Sequence, residues 1–175
     1  MKKLLVVGVG NVLNSDDAFG PRLIHQFKTD YNRKEGLTIM ETGIGGINII
    51  QEMLLGYNGL IIVDSYQGGQ KPGTVRILKP KVENLDLTID QKRDYFADTH
   101  YANPFRVLQF LKNINILPKF LFIIACEPES LKPHTIKLSQ AVSTGIDDAI
   151  VLLNEIINKF FNMRNIEDYA NSDCR

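Results

Sequence analysis

Material for a disulfide framework is nearly absent: the 175 residues contain two cysteines, Cys126 and Cys174. They lie far apart and match no C-x-x-C spacing, so a stapled secreted fold is excluded and a reducing cytoplasm is the expected setting. Net charge is lacking too. Twenty basic residues balance twenty acidic ones, which argues against a nucleic-acid binder driven by phosphate neutralisation. No Lys/Arg run is long enough for a membrane-surface patch, and no apolar run is long enough to span a bilayer. Lys2-Lys3 ahead of Leu4–Val7 imitates the start of a signal peptide, but Gly8, Asn11 and the Asp16-Asp17 pair interrupt the apolar stretch too early. Internal repeats and low-complexity tracts are missing. Histidine is scarce: His25 falls on a predicted helix and His134 in a proline-flanked loop, both read as surface positions, which leaves His100.

What is present is ordinary globular material, 44% hydrophobic, in a length that suits one domain. That domain is expected over residues 1–161, with a polar tail at 162–175. Lys3–Val9 reads as a buried strand, β-branched and closed by glycine. Phe19, Leu23, Ile24 and Phe27 then recur at helical spacing, and Pro21 requires that helix to begin between Asp17 and Pro21. Gly36–Glu41 reads as a strand, Thr42–Gly46 as a glycine-rich turn and Ile47–Leu55 as a helix. Leu60–Asp64 is the clearest central strand, fully apolar until it ends in an acid. Thr74–Leu78 follows without an intervening helix and is expected to run antiparallel to Leu60–Val63. Pro80–Asp98 has no clean period and reads as a long loop leading to Thr99-His100. A helix starts near Pro104, a strand covers Lys119–Cys126, and an amphipathic helix covers Ser143–Phe161. Strands alternating with helices imply an α/β fold: a three-layer α/β/α sandwich around a mostly parallel five-stranded sheet with one antiparallel strand.

Acids stand where such sheets bind ligands, just past the carboxyl ends of strands. Gly8-Val9-Gly10 invites a dinucleotide reading, but position 13 is Leu rather than Gly, and Asp16-Asp17 repel a phosphate at the helix start. No nucleotide cofactor is therefore expected. Asp17, Asp64 and His100 are two carboxylates and an imidazole at strand-end and loop positions, a ligand set that suits a divalent transition metal. Local pattern leaves other readings open: Asp17 as a helix N-cap, Asp64 as a turn-forming residue, His100 as a solvated loop side chain. No Gly-x-Ser-x-Gly elbow supplies a nucleophile. Cys126 ends a buried strand and reads as core, and Cys174 sits in the tail.

Gly8-Val9-Gly10-Asn11-Val12-Leu13, Asp16-Asp17 and Gly20 resemble the amino-terminal signature of the nickel–iron hydrogenase maturation endopeptidases. Ile62-Val63-Asp64 with Gly68 and Pro72-Gly73-Thr74, Thr99-His100 before a helix, and Ile124-Ala125-Cys126-Glu127-Pro128 are similar to later motifs of that family, in order, from about Leu4 to Phe160. The resemblance implies an endopeptidase that removes the C-terminal extension from the nickel-loaded precursor of a nickel–iron hydrogenase large subunit. In this reading the bound nickel serves as the recognition element. Carried over position by position, Asp17, Asp64 and His100 contact that metal, and Asp17 and Asp64 are the catalytic candidates. The family often has Glu where this chain has Asp17, a methylene longer. Of the adjacent acids, Asp16 is expected to brace the turn while Asp17 faces the cleft. A substrate cleft is expected at the sheet's carboxyl edge, with Asn11, Asp16, Gly43, Gly45 and Gly46 about it and the Ser65–Gly73 loop as its other border. The enzyme is expected to be a cytoplasmic monomer with no nucleic-acid or membrane partner. The competing reading is a non-catalytic metal- or nucleotide-binding α/β module.

Overall fold

The computed structural model describes residues 1–30, 34–85, 87–88, 90–91, 94 and 104–164. The last part of the predicted tail and much of the Pro80–Asp98 stretch lie outside them.

Strand β1 (Leu4–Val9) is buried at every position. That is the expected environment for an apolar run with helices on both faces. After a 3-10 turn at Ser15–Ala18, helix α1 runs over Phe19–Asp30 with Pro21 in its first turn. Strand β2 (Leu37–Gly43) extends two residues beyond the predicted segment, and α2 covers Gly46–Met53. Strand β3 (Gly59–Ser65) and strand β4 (Val75–Leu78) come next. Helix α3 (Pro104–Asn113), strand β5 (Phe120–Cys126) and helix α4 (Gln140–Asn162) follow. Helix α4 starts three residues earlier than its apolar spacing suggests, because the Ser139 hydroxyl accepts from Val142 N–H and caps it.

The five strands are ordered β2-β1-β3-β5-β4. β1 pairs parallel to β2 and β3, and β3 pairs parallel to β5. Among the described strands only β4 is antiparallel, and its partner is β5. The expected direction of β4 relative to β3 holds, but the two are not neighbours. The 66–74 loop carries the chain past the place that β5 fills, and β4 becomes the edge. The strongly apolar β5 takes the protected position, while β4 is only half buried.

Alternate residues of the strands serve two separate cores. Leu4, Val6, Ile61, Val63, Phe120 and Phe122 pack under α1 and α4. Leu5, Val7, Leu60, Ile62 and Leu121 pack under α2 and α3. The result is the three-layer sandwich. The chain leaves β1 toward β2 on one side and returns to β3 on the other. The crevice between the carboxyl ends of β1 and β3 is thus the topological switch point, the favoured ligand position in open α/β sheets.

Candidate active site

The end of β1 is brought close to the start of α1 by missing side chains. A Cβ on Gly20 would lie 2.2 Å from Val9 O and 2.4 Å from Val63 O. Only glycine lets α1 rest directly on β1 and β3 there. Gly10 has φ of 138°, and a Cβ on it would overlap Asp17 O at 1.8 Å. These glycines therefore serve close packing at the switch point. They bring Asp17, at the amino end of α1, over the end of β3, where Asp64 sits.

The adjacent acids have opposite surroundings. Asp16 is fully buried. Its Oδ2 accepts from Glu129 N–H and Ser130 N–H, both at 2.9 Å, and its Oδ1 accepts from Ser139 N–H at 2.7 Å. Further bonds tie the same two segments: Ser15 N–H to Thr135 O, Asp16 N–H to Ser130 O and Thr135 N–H to Leu13 O. Ser15 is held there at φ 52°, with its hydroxyl donating to Lys137 O. Asp16 thus fastens the β1–α1 loop to the 129–139 segment.

Asp17 is half buried. Its Oδ2 accepts from Asn11 N–H at 3.0 Å and its Oδ1 from the Ser65 hydroxyl at 3.2 Å. Asp17 lies inside the 3-10 turn, and its carboxylate bonds Asn11 after β1 and Ser65 at the end of β3, which aims it between the two strands. Asp64 is its neighbour. Burial, and then the negative charge of Asp17, raise the Asp64 carboxyl to about 8, against a smaller opposing bond from Ser65 N–H. Two carboxylates therefore face one crevice, and the second is protonated near neutrality. Among the described residues no group of three His, Cys, Asp or Glu side chains converges on one point. His100, expected to join the pair, lies outside the described residues. His25 and His134 are exposed.

Asn11, Gly43 and Ile44 line a pocket of about 220 Å³ with Gly10, Val12, Pro21 and Glu41, against the loop that holds Asp17. Gly45 precedes α2, and Gly46 is its buried first residue. Asp16, grouped with the cleft residues from sequence, has no exposed surface there.

Two participants have no role assigned from sequence, although Glu127 stands in one of the motifs quoted above. Ser65, directly after the acid of β3, orients Asp17. Glu127, directly after β5, is buried and accepts from Gly68 N–H and Gly69 N–H at 2.9–3.1 Å. Arg76 stands 3.6 Å from it. Burial works to raise this carboxyl, but the N–H groups of Gly68, Gln70 and Gly69 and the Arg76 guanidinium outweigh it and hold it below the usual range. Glu127 thus shapes the loop that leaves Ser65. The available signal was the one used for Asp64, an acid ending an apolar strand. Cys126 is core: burial, then the charges of Asp16 and Glu127, push its thiol up to about 12, which removes it as a nucleophile.

A family model for hydrogenase maturation proteases matches residues 21–156. The chain belongs to the hydrogenase maturation protease family. It is 30% identical over 149 residues to the hydrogenase 2 maturation protease of Escherichia coli K12, covering 85% of this chain and 86% of that one. It is 26% identical to a putative hydrogenase maturation protease of Methanocaldococcus jannaschii, covering 89% and 97%. Among solved structures, the E. coli hydrogenase maturating endopeptidase HybD superposes with a TM-score of 0.70 at 27% identity, over 90% of this chain and 93% of that one. A hydrogenase 2 maturation peptidase from Thaumarchaeota archaeon SCGC_AB-539-E09 gives 0.65 at 30% identity, over 89% and 98%. The protein is a peptide-bond hydrolase of hydrogenase maturation, and the reading as a non-catalytic module falls away.

Proposed function

We propose that this protease removes the C-terminal extension from the precursor of a nickel–iron hydrogenase large subunit, and that it recognises the nickel the precursor carries. The observation that supports this most is the Asp17–Asp64 pair at the switch point. Two carboxylates share one crevice, and burial, then the charge of Asp17, keeps Asp64 protonated; such a pair is a half-made cation site, and a divalent ion would stabilise both charges. Carboxylates with one imidazole suit nickel. In this reading Asp17, Asp64 and His100 approach from the protease side a metal that arrives with the substrate. Asn11 N–H and the Ser65 hydroxyl fix the orientation of Asp17, the usual work of groups behind a ligand. A bound cation expels the proton of Asp64. Asp64 or Asp17 then takes a proton from the attacking water, and the metal supplies Lewis acidity at the scissile carbonyl. The enzyme acts in the cytoplasm, as a monomer that meets its precursor transiently. No helix among the described residues is long and apolar enough to cross a membrane.

The test is mass spectrometry of a large-subunit precursor, nickel-loaded or nickel-free, after incubation with the purified protein. The loaded form should lose its C-terminal extension and the nickel-free form should stay intact. Asp17→Asn, Asp64→Asn and His100→Ala should each leave the loaded form uncut. Cleavage that ignores nickel, or an uncut loaded precursor with the wild-type enzyme, overturns the reading.

A further inference from the structure

We infer that the outer edge of β2 is the docking rail for the substrate's tail, which pairs with it as an added strand and so delivers the scissile region to Asp17 and Asp64. The inference rests on the processing activity proposed above and adds where the peptide lies.

The sheet order leaves β2 with β1 on one side and, among the described residues, no strand on the other. Leu4 N–H donates to Gly36 O, and Leu4 is in register with Leu37. In a parallel ladder the bonding residues alternate. Gly36, Thr38 and Met40 therefore serve β1, while Ile39 and Glu41 turn their N–H and C=O outward; beyond Glu41 the register shifts, and the Gly43 carbonyl rather than that of Thr42 faces β1. No described residue bonds these outward groups. An exposed row of this kind is a template for another extended chain.

The edge also leads to the right place. β2 ends at Gly43, whose carbonyl accepts from Gly10 N–H. The next residue, Asn11, donates to Asp17. The pocket of about 220 Å³ lies at this junction, with Glu41, Gly43 and Ile44 on one wall and Gly10, Asn11, Val12 and Pro21 on the other. Val12 and Ile44 expose 43% and 49% of their surface at its mouth, offering an apolar seat for one side chain of an incoming peptide. Space around Gly43 is open, since a Cβ there would meet nothing within 4 Å. From Ile39 to Gly43 the edge runs about 13 Å, enough to pair about four residues of an extended peptide. An endopeptidase needs its substrate extended across the cut, and an edge strand imposes that conformation with backbone bonds alone.

Two measurements test this. In the first, Glu41→Pro removes the outward N–H at an exposed edge position, where proline is tolerated. Glu41→Ala removes the side chain and its ion pair with Lys28 but keeps the N–H. Glu41→Pro should raise KM for the nickel-loaded precursor about tenfold beyond whatever change Glu41→Ala causes by removing the side chain, with kcat little changed, the equivalent of one lost backbone bond. Equal effects of the two variants overturn the inference. The second does not depend on the proline variant folding. Amide hydrogen exchange is followed in the wild-type enzyme under excess nickel-loaded precursor, so that turnover itself reports occupancy. Slowed exchange at Ile39 and Glu41 supports the rail. Turnover with unchanged exchange there overturns the rail and leaves the processing activity standing. Absence of turnover overturns both.

Discussion

Replacing each of the adjacent acids by its amide should separate folding from chemistry. Asp16 is fully buried and accepts three backbone N–H groups. In the most favourable placement of Asp16→Asn, the amide oxygen keeps the bonds from Glu129 and Ser130 and the NH2 faces Ser139 N–H. Ser139 N–H and the new NH2 are then two buried donors facing each other without an acceptor, at about 1–3 kcal/mol each. The remaining two bonds lose their charge assistance, about 1 kcal/mol more. A total of about 3–7 kcal/mol corresponds to a Tm fall of roughly 9–21 °C at about 3 °C per kcal/mol in a domain this size. Asp17 is half buried and accepts one N–H and one hydroxyl, so Asp17→Asn should cost about 1 kcal/mol of stability or less. Its cleavage rate should fall by a factor on the order of 10²–10⁴, the range for loss of a group acting on the reacting atoms. Urea midpoints by circular dichroism give the first quantity. Precursor cleavage per folded molecule, measured well below both midpoints, gives the second. Asp16→Asn should cut near the wild-type rate once corrected for folded fraction. An Asp16→Asn protein with a wild-type midpoint and no cleavage would refute the division, because it would put Asp16 in the chemistry. An Asp17→Asn protein destabilised as much as Asp16→Asn would refute it from the other side.

Three further outcomes are expected. The Asp64 carboxyl rises from 3.8 to about 8 on folding, so across that window the folded protein holds a proton the unfolded chain has released, and stability falls as pH rises. The full shift is an upper bound for a side chain only half buried. About 1–3 kcal/mol is expected between pH 5 and pH 9 in metal-free protein, and Asp64→Asn should remove it; parallel urea midpoints for the two proteins sink this. Gly20→Ala places a methyl 2.2 Å from Val9 O and 2.4 Å from Val63 O, so α1 must lift off the switch point at a cost of about 3 kcal/mol; a wild-type Tm contradicts it. Glu127→Gln weakens the hold on Gly68 and Gly69. Their amides should exchange faster while those of β5 do not, with KM for the precursor rising, and unchanged exchange at the two glycines counts against the role given to Glu127.

Strands β1, β3 and β5 were legible in the sequence because they are buried on both faces, which writes an unbroken apolar run into the chain. The position of β4 was not legible. Absence of a helix before it gives its direction, but its neighbour depends on β5, which arrives more than forty residues later. The start of α4 was set by the Ser139 cap rather than by its apolar stripe. At the site, Asp64 is conspicuous as an acid at the end of an apolar strand and Asp17 as one of two acids in the loop that follows another. The roles of Asp16 and Glu127 rest on backbone N–H groups that carry no side-chain signature. Ser139, one partner of Asp16, is 123 residues away. Side-chain pattern shows where acids are placed, and only the fold shows which backbone they hold.

The two acids divide the work because a 3-10 turn points consecutive side chains in different directions. Asp16 turns inward and closes the loop onto the 129–139 segment, and Asp17 is left over the crevice. Ser15 at φ 52° is part of this arrangement. A non-glycine residue there costs about 1 kcal/mol or more, and bonds to Thr135 and Lys137 hold it. The consequence reaches the proposed chemistry. A protease whose metal arrives with its substrate must keep carboxylates facing each other while no cation separates them. Left mobile, such a pair would swing apart into water. Here Asp17 is fixed by Asn11 and Ser65, its loop is fixed by Asp16, and the remaining repulsion is relieved by a proton on Asp64. In the proposed chemistry the two carboxylates are thereby in place before the metal comes, and the proton on Asp64 is what a cation would displace from the pair.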